Sequence, residues 1–291
     1  MRYGPSVVFG VEWIMELDLS VVGQAFEPPS FEYDWQTCAT YALGVGESAL
    51  DYTWEGVESL KVVPSFAVVP TMPIVHKALH KIRADYQTLV HGAQTITLHS
   101  PIPPKGRLRN VGRVSEVQDK GKGAVVIIDT ETFDAAGTPL FDTSWSIFCR
   151  GQGGFGGERG QSVPLPDPMA DSPLVIDDDL HTLESQALLY RLSGDLNPLH
   201  VDPALATKVG FKAPILHGLC TYGFATCAVV RALCDGDPSR LKSFTARFSR
   251  EVYPGDTLHV QALPSSQEGG YRLEVTVGER TVLSNGYIEI G

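Results

Sequence analysis

Asp195, Asn197 and His200 lie within six residues, in the run Tyr190-Arg-Leu-Ser-Gly-Asp-Leu-Asn-Pro-Leu-His-Val-Asp-Pro-Ala-Leu-Ala206. A carboxylate and an imidazole five residues apart, carried on a turn rather than one regular helix, can converge on a single water molecule. Together they would orient that water and deprotonate it. The same residues also have a purely structural use: Asp and Asn side chains tie turns together, and a histidine can pack beneath them. Spacing alone leaves both readings open.

The elements that must hold these groups are short. Residues 182–192 read as a helix with Thr182 as its cap and Ala187, Leu188 and Leu192 sharing one face. Gly194 is placed to stop it. Asn197-Pro198 and Asp202-Pro203 then read as two successive helix starts, each a capping side chain followed by a proline whose missing N–H costs nothing there. Asp195 and His200 are thereby expected on a tightly turned segment.

A second chemical position follows downstream. His217-Gly218 opens a long apolar stretch, residues 219–235, read as a central helix. The N–H groups at a helix start have no partner within the helix and sit at the positive end of its dipole. Gly218 could therefore donate to a carbonyl oxygen that gains negative charge, and glycine would let a ligand approach the backbone closely. The alternative is that Gly218 only allows helix and strand to pack. Cys220, Cys227 and Cys234 fall seven apart, on one helix face, and are expected to be buried thiols. A Cys220 nucleophile beside His217 is the less supported reading.

The remaining histidines carry weaker signals. His76 and His80 stand four apart, a metal-like spacing, but without a third ligand or the Glu pattern of a metalloprotease helix, so they are expected to be solvated. His91-Gly92 runs straight into a strand-like segment, 94–98, and is assigned no chemistry. No metal site is expected.

The whole chain bounds these readings. Its 291 residues, 43% hydrophobic, can bury a large core. A net charge of −11 and a pI near 5.1 argue against a nucleic-acid partner, which needs a basic face. Five cysteines without a Cys-x-x-Cys pair favour a reducing compartment, and the cytoplasm is expected. No apolar run approaches the ~20 residues of a spanning helix, so no membrane partner is expected. Residues 1–14 read as an added leader before a natural start near Met15. The final Ile288-Glu-Ile-Gly291 is not a peroxisomal Ser-Lys-Leu tail.

The chain repeats itself. Residues 34–43 read as a helix ending in Tyr41-Ala-Leu-Gly44, as the later helix ends in Tyr190-Arg-Leu-Ser-Gly194, but the first lacks the acid and the histidine. The turn 100–108 resembles 251–258, each opening a strand, and residues 137–149 resemble 280–290. Two α+β halves of about 150 residues are the simplest account, divided as 1–150, a linker at 151–175, and 176–291. The linker contains Gly151-Gln-Gly-Gly-Phe-Gly-Gly157, a formal Gly-x-Gly-x-x-Gly. No helix follows it to receive a pyrophosphate, so it is read as a flexible connection rather than a nucleotide site.

The run 190–206 resembles, position by position, the signature of the 2-enoyl-CoA hydratase 2 family, the MaoC-like dehydratases. The glycine-rich segment 151–157 extends the resemblance to nearly the full chain. That resemblance implies a double hot-dog fold, an α+β architecture of two tandem repeats, each a helix wrapped by a curved antiparallel sheet. It implies hydration of a trans-2-enoyl-CoA thioester to a (3R)-hydroxyacyl-CoA, with coenzyme A entering only as part of the substrate and no other cofactor. By the same resemblance Asp195 and His200 activate water, Asn197 orients them, and the His217-Gly218 turn is the oxyanion and substrate site. The first half is then expected to be non-catalytic, with Phe66 and the apolar residues up to Met72 lining an acyl tunnel opened by Pro64, Pro70 and Pro73. Lys208, Lys212, Arg247 and Arg250 are the candidate partners of the coenzyme's phosphates, and a homodimer is expected. Another acyl-thioester enzyme, a thioesterase or an acyl-carrier-protein dehydratase, and a non-catalytic acyl-CoA-binding module remain as alternatives.

Overall fold

The computed structural model describes residues 16–86, 88–161, 163–169 and 171–291. The leader expected over residues 1–14 lies outside them. The first half contains β1 (Ala25–Phe26), β2 (Phe31–Tyr33), α1 (Trp35–Gly44), α2 (Leu50–Thr53), α3 (Val68–Lys81), β3 (Leu89–Leu98), β4 (Gly106–Asp119), β5 (Gly123–Phe133) and β6 (Pro139–Arg150). The second contains β7 (Ile176–His181), α4 (Gln186–Tyr190), α5 (Pro203–Lys208), α6 (Gly218–Leu233), β8 (Leu241–Phe248), β9 (Thr257–Pro264), β10 (Gly270–Val277) and β11 (Arg280–Ile290).

Alternating sequence becomes alternating burial. In β5 and β6 every second residue faces inward, Ala124, Val126 and Ile128 on one strand and Phe141, Trp145 and Ile147 on the other. The strands form one sheet in the order β1-β4-β5-β6-β3-β8-β11-β10-β9-β7, with β2 also on β4, and neighbours run antiparallel. The order is two-fold about the junction of β3 and β8, where Thr95 pairs with Thr245 and their hydroxyls hydrogen-bond. Each half contributes one long helix to the enclosed face, α3 and α6. This is the double hot-dog arrangement that the resemblance implied.

Helix α6 is apolar on all sides and is buried continuously from Leu219 to Val230, as the interior helix of a wrapped sheet must be. At 1.5 Å per residue its 16 residues span about 24 Å. Tyr222 stacks on Phe244 of β8 with centroids 4.4 Å apart, and its hydroxyl donates to the Phe244 carbonyl at 2.7 Å. The helix is thereby fixed to the strand at the junction of the halves. The two Tyr-x-Leu repeats meet as well: the α1 end lies on α4, with Tyr41 and Tyr190 rings 6.0 Å apart and the Gln186 side chain donating to the Gly44 carbonyl at 2.7 Å.

Three local expectations are corrected. Thr182 does not cap a helix; its hydroxyl donates to the Asp256 carbonyl and accepts from Gly255 N–H, and α4 begins only at Gln186. Leu188 and Leu192 are exposed while Gln186, Ala187 and Tyr190 are buried, because the segment tightens into a 3₁₀ turn at Arg191–Ser193 and the 3.6-residue periodicity no longer holds. The glycine-rich connection is also tethered rather than flexible. The Asp119 carboxylate accepts from Gly121, Gly154 and Gly156 N–H at 2.8 Å each, and the N–H groups of Gly154 and Gly121 hold that carboxyl below the ordinary aspartate range. Among the described residues, no helix or strand follows the strap before β7, so no helix N-terminus stands where the Gly-x-Gly-x-x-Gly of a nucleotide site would need one.

Candidate active site

The Asp195 turn is built by its own side chains. Gly194, at φ 116°, takes the left-handed conformation that ends the 3₁₀ turn before it. Asn197 N–H donates to Asp195 Oδ1 at 3.1 Å, and Asn197 Oδ1 accepts from Leu199 N–H at 3.0 Å, capping a second 3₁₀ turn, Pro198–His200. Asp202 caps α5 in the same way through Ala204 N–H. Both Asx-Pro helix starts expected from the sequence are therefore present. Asn197 is exposed and its side-chain oxygen is committed to the cap, so it orients Asp195 through its main chain rather than through its side chain.

His200 rides on that second turn and is buried. Its Nδ1 lies 2.8 Å from the Ile215 carbonyl oxygen, which can only accept, so Nδ1 carries the proton and Nε2 presents a lone pair. Burial pushes the His200 pKa down, and the Asp195 charge only partly offsets this, so the ring is neutral at neutral pH. One atom each of Asp195, His200 and His217 lies within 4.8 Å of the others. A single water with two hydrogen bonds of about 2.8 Å bridges such a span.

His217 is not open to a substrate, as was expected of it. It is 1% exposed and stacks on His200 with centroids 3.6 Å apart, and its Nε2 donates to the Asp195 carbonyl at 3.2 Å. Burial, and then the neighbouring His200, push its pKa down to about 2. It is a neutral strut beneath the Asp195–His200 pair.

Gly218 follows His217 as the first residue of α6, and among the described residues its N–H has no acceptor. The Phe248 ring lies against it: a β-carbon at Gly218 would stand 3.0 Å from Phe248 Cδ1. An alternative nucleophile in this turn is ruled out by its surroundings. The Cys220 thiol is buried, donates to the Gly44 carbonyl at 3.2 Å, and burial pushes its pKa well above the ordinary value. Cys227 and Cys234 are buried too, and all five cysteines are free. His76 and His80 are exposed on α3, as expected.

Other candidates fall elsewhere. Phe66 is 0% exposed and packs between Tyr33 and Tyr41, with centroids 5.3 and 5.6 Å away; residues 66–72 are all buried. The expected tunnel is core, because Pro64 and Pro70 sit in first turns, where no helical N–H is needed, and leave α3 closed. Arg247 alternates with inward Ala246 and points to the outer sheet face, away from Gly218. Lys208 is exposed at the end of α5. Lys212 lies over the Tyr253 ring at 4.1 Å, and Arg250 lines a surface cleft with Arg280.

Sequence reasoning missed His91. It lies on β3 beside the junction of the halves, stacks on Trp145 at 5.0 Å and meets Phe248 at 4.7 Å, close enough to the dyad for the Asp195 charge to act on it. The dipeptide His91-Gly92 was visible, but its strand context hid the fact that β3 pairs with β8 of the other half.

Fold and site together define a double hot-dog protein of the dehydratase class, with a carboxylate and two imidazoles grouped beside the start of α6. Residues 31–151 match the MFE-2 hydratase 2 N-terminal domain, and residues 168–285 match the MaoC like domain. A probable enoyl-CoA hydratase 2 of Dictyostelium discoideum is 38% identical over 250 residues, 83% of this chain and 85% of that protein. The solved MaoC-like dehydratase from Phytophthora Capsici superposes with a TM-score of 0.82 at 29% identity, covering 94% of this chain and 98% of that one. The full-length peroxisomal multifunctional enzyme type 2 from Drosophila melanogaster gives a TM-score of 0.76 at 35% identity, covering 92% of this chain and 48% of that one, so this chain spans about half of that larger protein. The chain belongs to the enoyl-CoA hydratase 2 family of MaoC-like proteins.

Proposed function

We propose that the protein is a hydro-lyase that reversibly adds water to a trans-2-enoyl-CoA thioester, giving a (3R)-3-hydroxyacyl-CoA. The observation that carries this reading is the convergence of Asp195 and His200, no more than 4.8 Å apart, next to the unpartnered Gly218 N–H. Gly218 N–H polarises the thioester carbonyl and draws electron density from the β-carbon. The water held between the pair gives a proton to the neutral Nε2 of His200 as its oxygen bonds to Cβ and the Cα=Cβ π electrons move into the enolate; the imidazolium then returns that proton to Cα, leaving His200 neutral again. Dehydration is the same path in reverse. The acid–base pair and the oxyanion donor supply what the addition requires, so the reading includes no metal or redox cofactor.

Family membership and the relatives' names support this substrate class. For the coenzyme's phosphates we assign Lys212 and Arg250, since the segments bearing them flank Leu216, whose N–H donates to the Val252 carbonyl at 2.7 Å. The first half acts as scaffold and side wall, and the second carries the dyad. A homodimer belongs to the same reading, supported by the exposed Leu43, Leu188, Leu192 and Leu196. A reducing compartment, the cytoplasm, is supported by the five free thiols. Among the described residues no helix is long and apolar enough to cross a membrane.

Incubation with crotonyl-CoA tests the reading directly. The enoyl absorbance should fall without release of free thiol, and the product should be oxidised only by a (3R)-specific dehydrogenase. Thiol release would instead make the protein a thioesterase.

A further inference from the structure

We infer that Phe248, clamped by His91 of the first half, is a specificity-determining residue that limits the room beside the α-carbon of the thioester. The inference rests on the proposed hydration reaction. It begins with contacts around Gly218. A β-carbon there would stand 3.0, 3.2 and 3.4 Å from three atoms of the Phe248 ring, so the ring edge lies directly against the bare backbone of the oxyanion donor.

The ring is backed by His91. His91 meets it at 4.7 Å with planes inclined by 56°, and His91 is itself stacked on Trp145 at 5.0 Å and 11°. His91 Nε2 donates to the Ala93 carbonyl at 3.0 Å, and Trp145 Nε1 donates to Thr143 Oγ1 at 2.8 Å. On the main chain, Phe248 is paired with Leu283 and the next residue, Ser249, donates to the Val282 carbonyl. Three aromatic side chains, two from the first half and one from the second, thus form a fixed wall across the β3–β8 junction.

A thioester oxygen bound by Gly218 N–H puts its α-carbon about 2.4 Å from that oxygen, by ordinary C=O and C–C lengths. A substituent on the α-carbon therefore projects into the space that the Phe248 edge bounds. One methyl group against a fixed apolar wall changes discrimination by roughly 10- to 200-fold.

The test compares kcat/KM for crotonyl-CoA with that for trans-2-methylcrotonyl-CoA in the wild type and in Phe248→Leu, Phe248→Ala, His91→Ala and His91→Phe. The expected result is a preference for crotonyl-CoA that narrows about tenfold or more in Phe248→Ala, less in Phe248→Leu and His91→Ala, and persists in His91→Phe. Phe248→Leu keeps an apolar group in place should Phe248→Ala not fold. Equal losses on both substrates, leaving the ratio unmoved, would reduce Phe248 to a structural residue and overturn the inference while the hydratase reading stands. A wild type that hydrates neither thioester overturns the functional reading, and the inference with it.

Discussion

His217 lies face to face with His200, ring centroids 3.6 Å apart, while its Nε2 donates to the main-chain carbonyl of Asp195 at 3.2 Å. One buried imidazole thus braces both members of the dyad. His217→Phe keeps a stacked ring and removes the hydrogen bond; His217→Gln keeps a donor and removes the stack. Each should lower kcat by roughly 10- to 100-fold, the scale of a misplacement near 1 Å, with little change in KM for crotonyl-CoA. A raised KM at wild-type kcat would return His217 to the substrate-contacting role expected from the sequence.

Removal of either dyad member should be far more damaging. Asp195→Asn and His200→Gln are each expected to lower kcat about 10²- to 10⁴-fold while the circular dichroism spectrum stays that of the wild type. Because the proposed mechanism has both act on one water, the double variant should be little worse than the poorer single one. Variants that fold, bind acyl-CoA and hydrate at the wild-type rate would make the protein a binding module.

Asp195, His200 and His217 are also grouped at metal-like distances, and the grouping makes a separate prediction. His200 Nδ1 and His217 Nε2 both donate to carbonyl oxygens, and the rings are inclined by only 27°, so their free lone pairs lie in stacked planes rather than pointing to a common centre. A tetrahedral zinc site needs convergent ligands. Dialysis against a strong chelator should therefore leave the hydration rate unchanged. Loss of activity restored by a divalent ion would show that the three side chains rearrange around a metal.

How much of this was legible in the sequence depends on whether the signal was local. The Asx-Pro caps at Asn197 and Asp202, the stop at Gly194 and the start of α6 at Gly218 depend on neighbouring residues only, and each stands where its residue types put it. The family signature added the fold. What it could not add was the pairing of β3 with β8, a contact between residues some 150 positions apart in the chain that brings His91 and Trp145 to the site. Phe66 misled for the converse reason: prolines near an apolar run read as an opening, yet two of the three sit where a helix tolerates them. Arg247 failed on strand parity, since one step along β8 separates the inner face from the outer.

The pH dependence of the rate follows from His200. In the proposed mechanism its neutral form is the base, and burial holds its pKa below the ordinary 6.5. The acid limb of the hydration kcat/KM should therefore have its midpoint below pH 6.5, as the ring takes up a proton. The Asp195 charge opposes the effect of burial, so the residual activity of Asp195→Asn should lose its acid limb at a still lower pH. An acid limb that moves upward in that variant would mean that another group is titrating.

Stability should also depend on pH, through histidines that burial keeps neutral in the fold at neutral pH. Burial pushes His91 down to about 4 and His217 to about 2, whereas in the unfolded chain both return to about 6.5. Below pH 6.5 the unfolded state binds more protons than the folded one, so it gains stability relative to the fold as the pH drops. Full stability is present above 6.5 and is lost progressively towards pH 4, with His217 continuing to contribute below that. His91→Phe keeps an aromatic ring between Trp145 and Phe248 but removes one titrating group. Its thermal midpoint should fall less steeply than that of the wild type between pH 6.5 and 4, when both are measured in the same buffer series. Parallel curves would mean that His91 takes up its proton within the folded protein, and that the wall it forms with Phe248 is open to water.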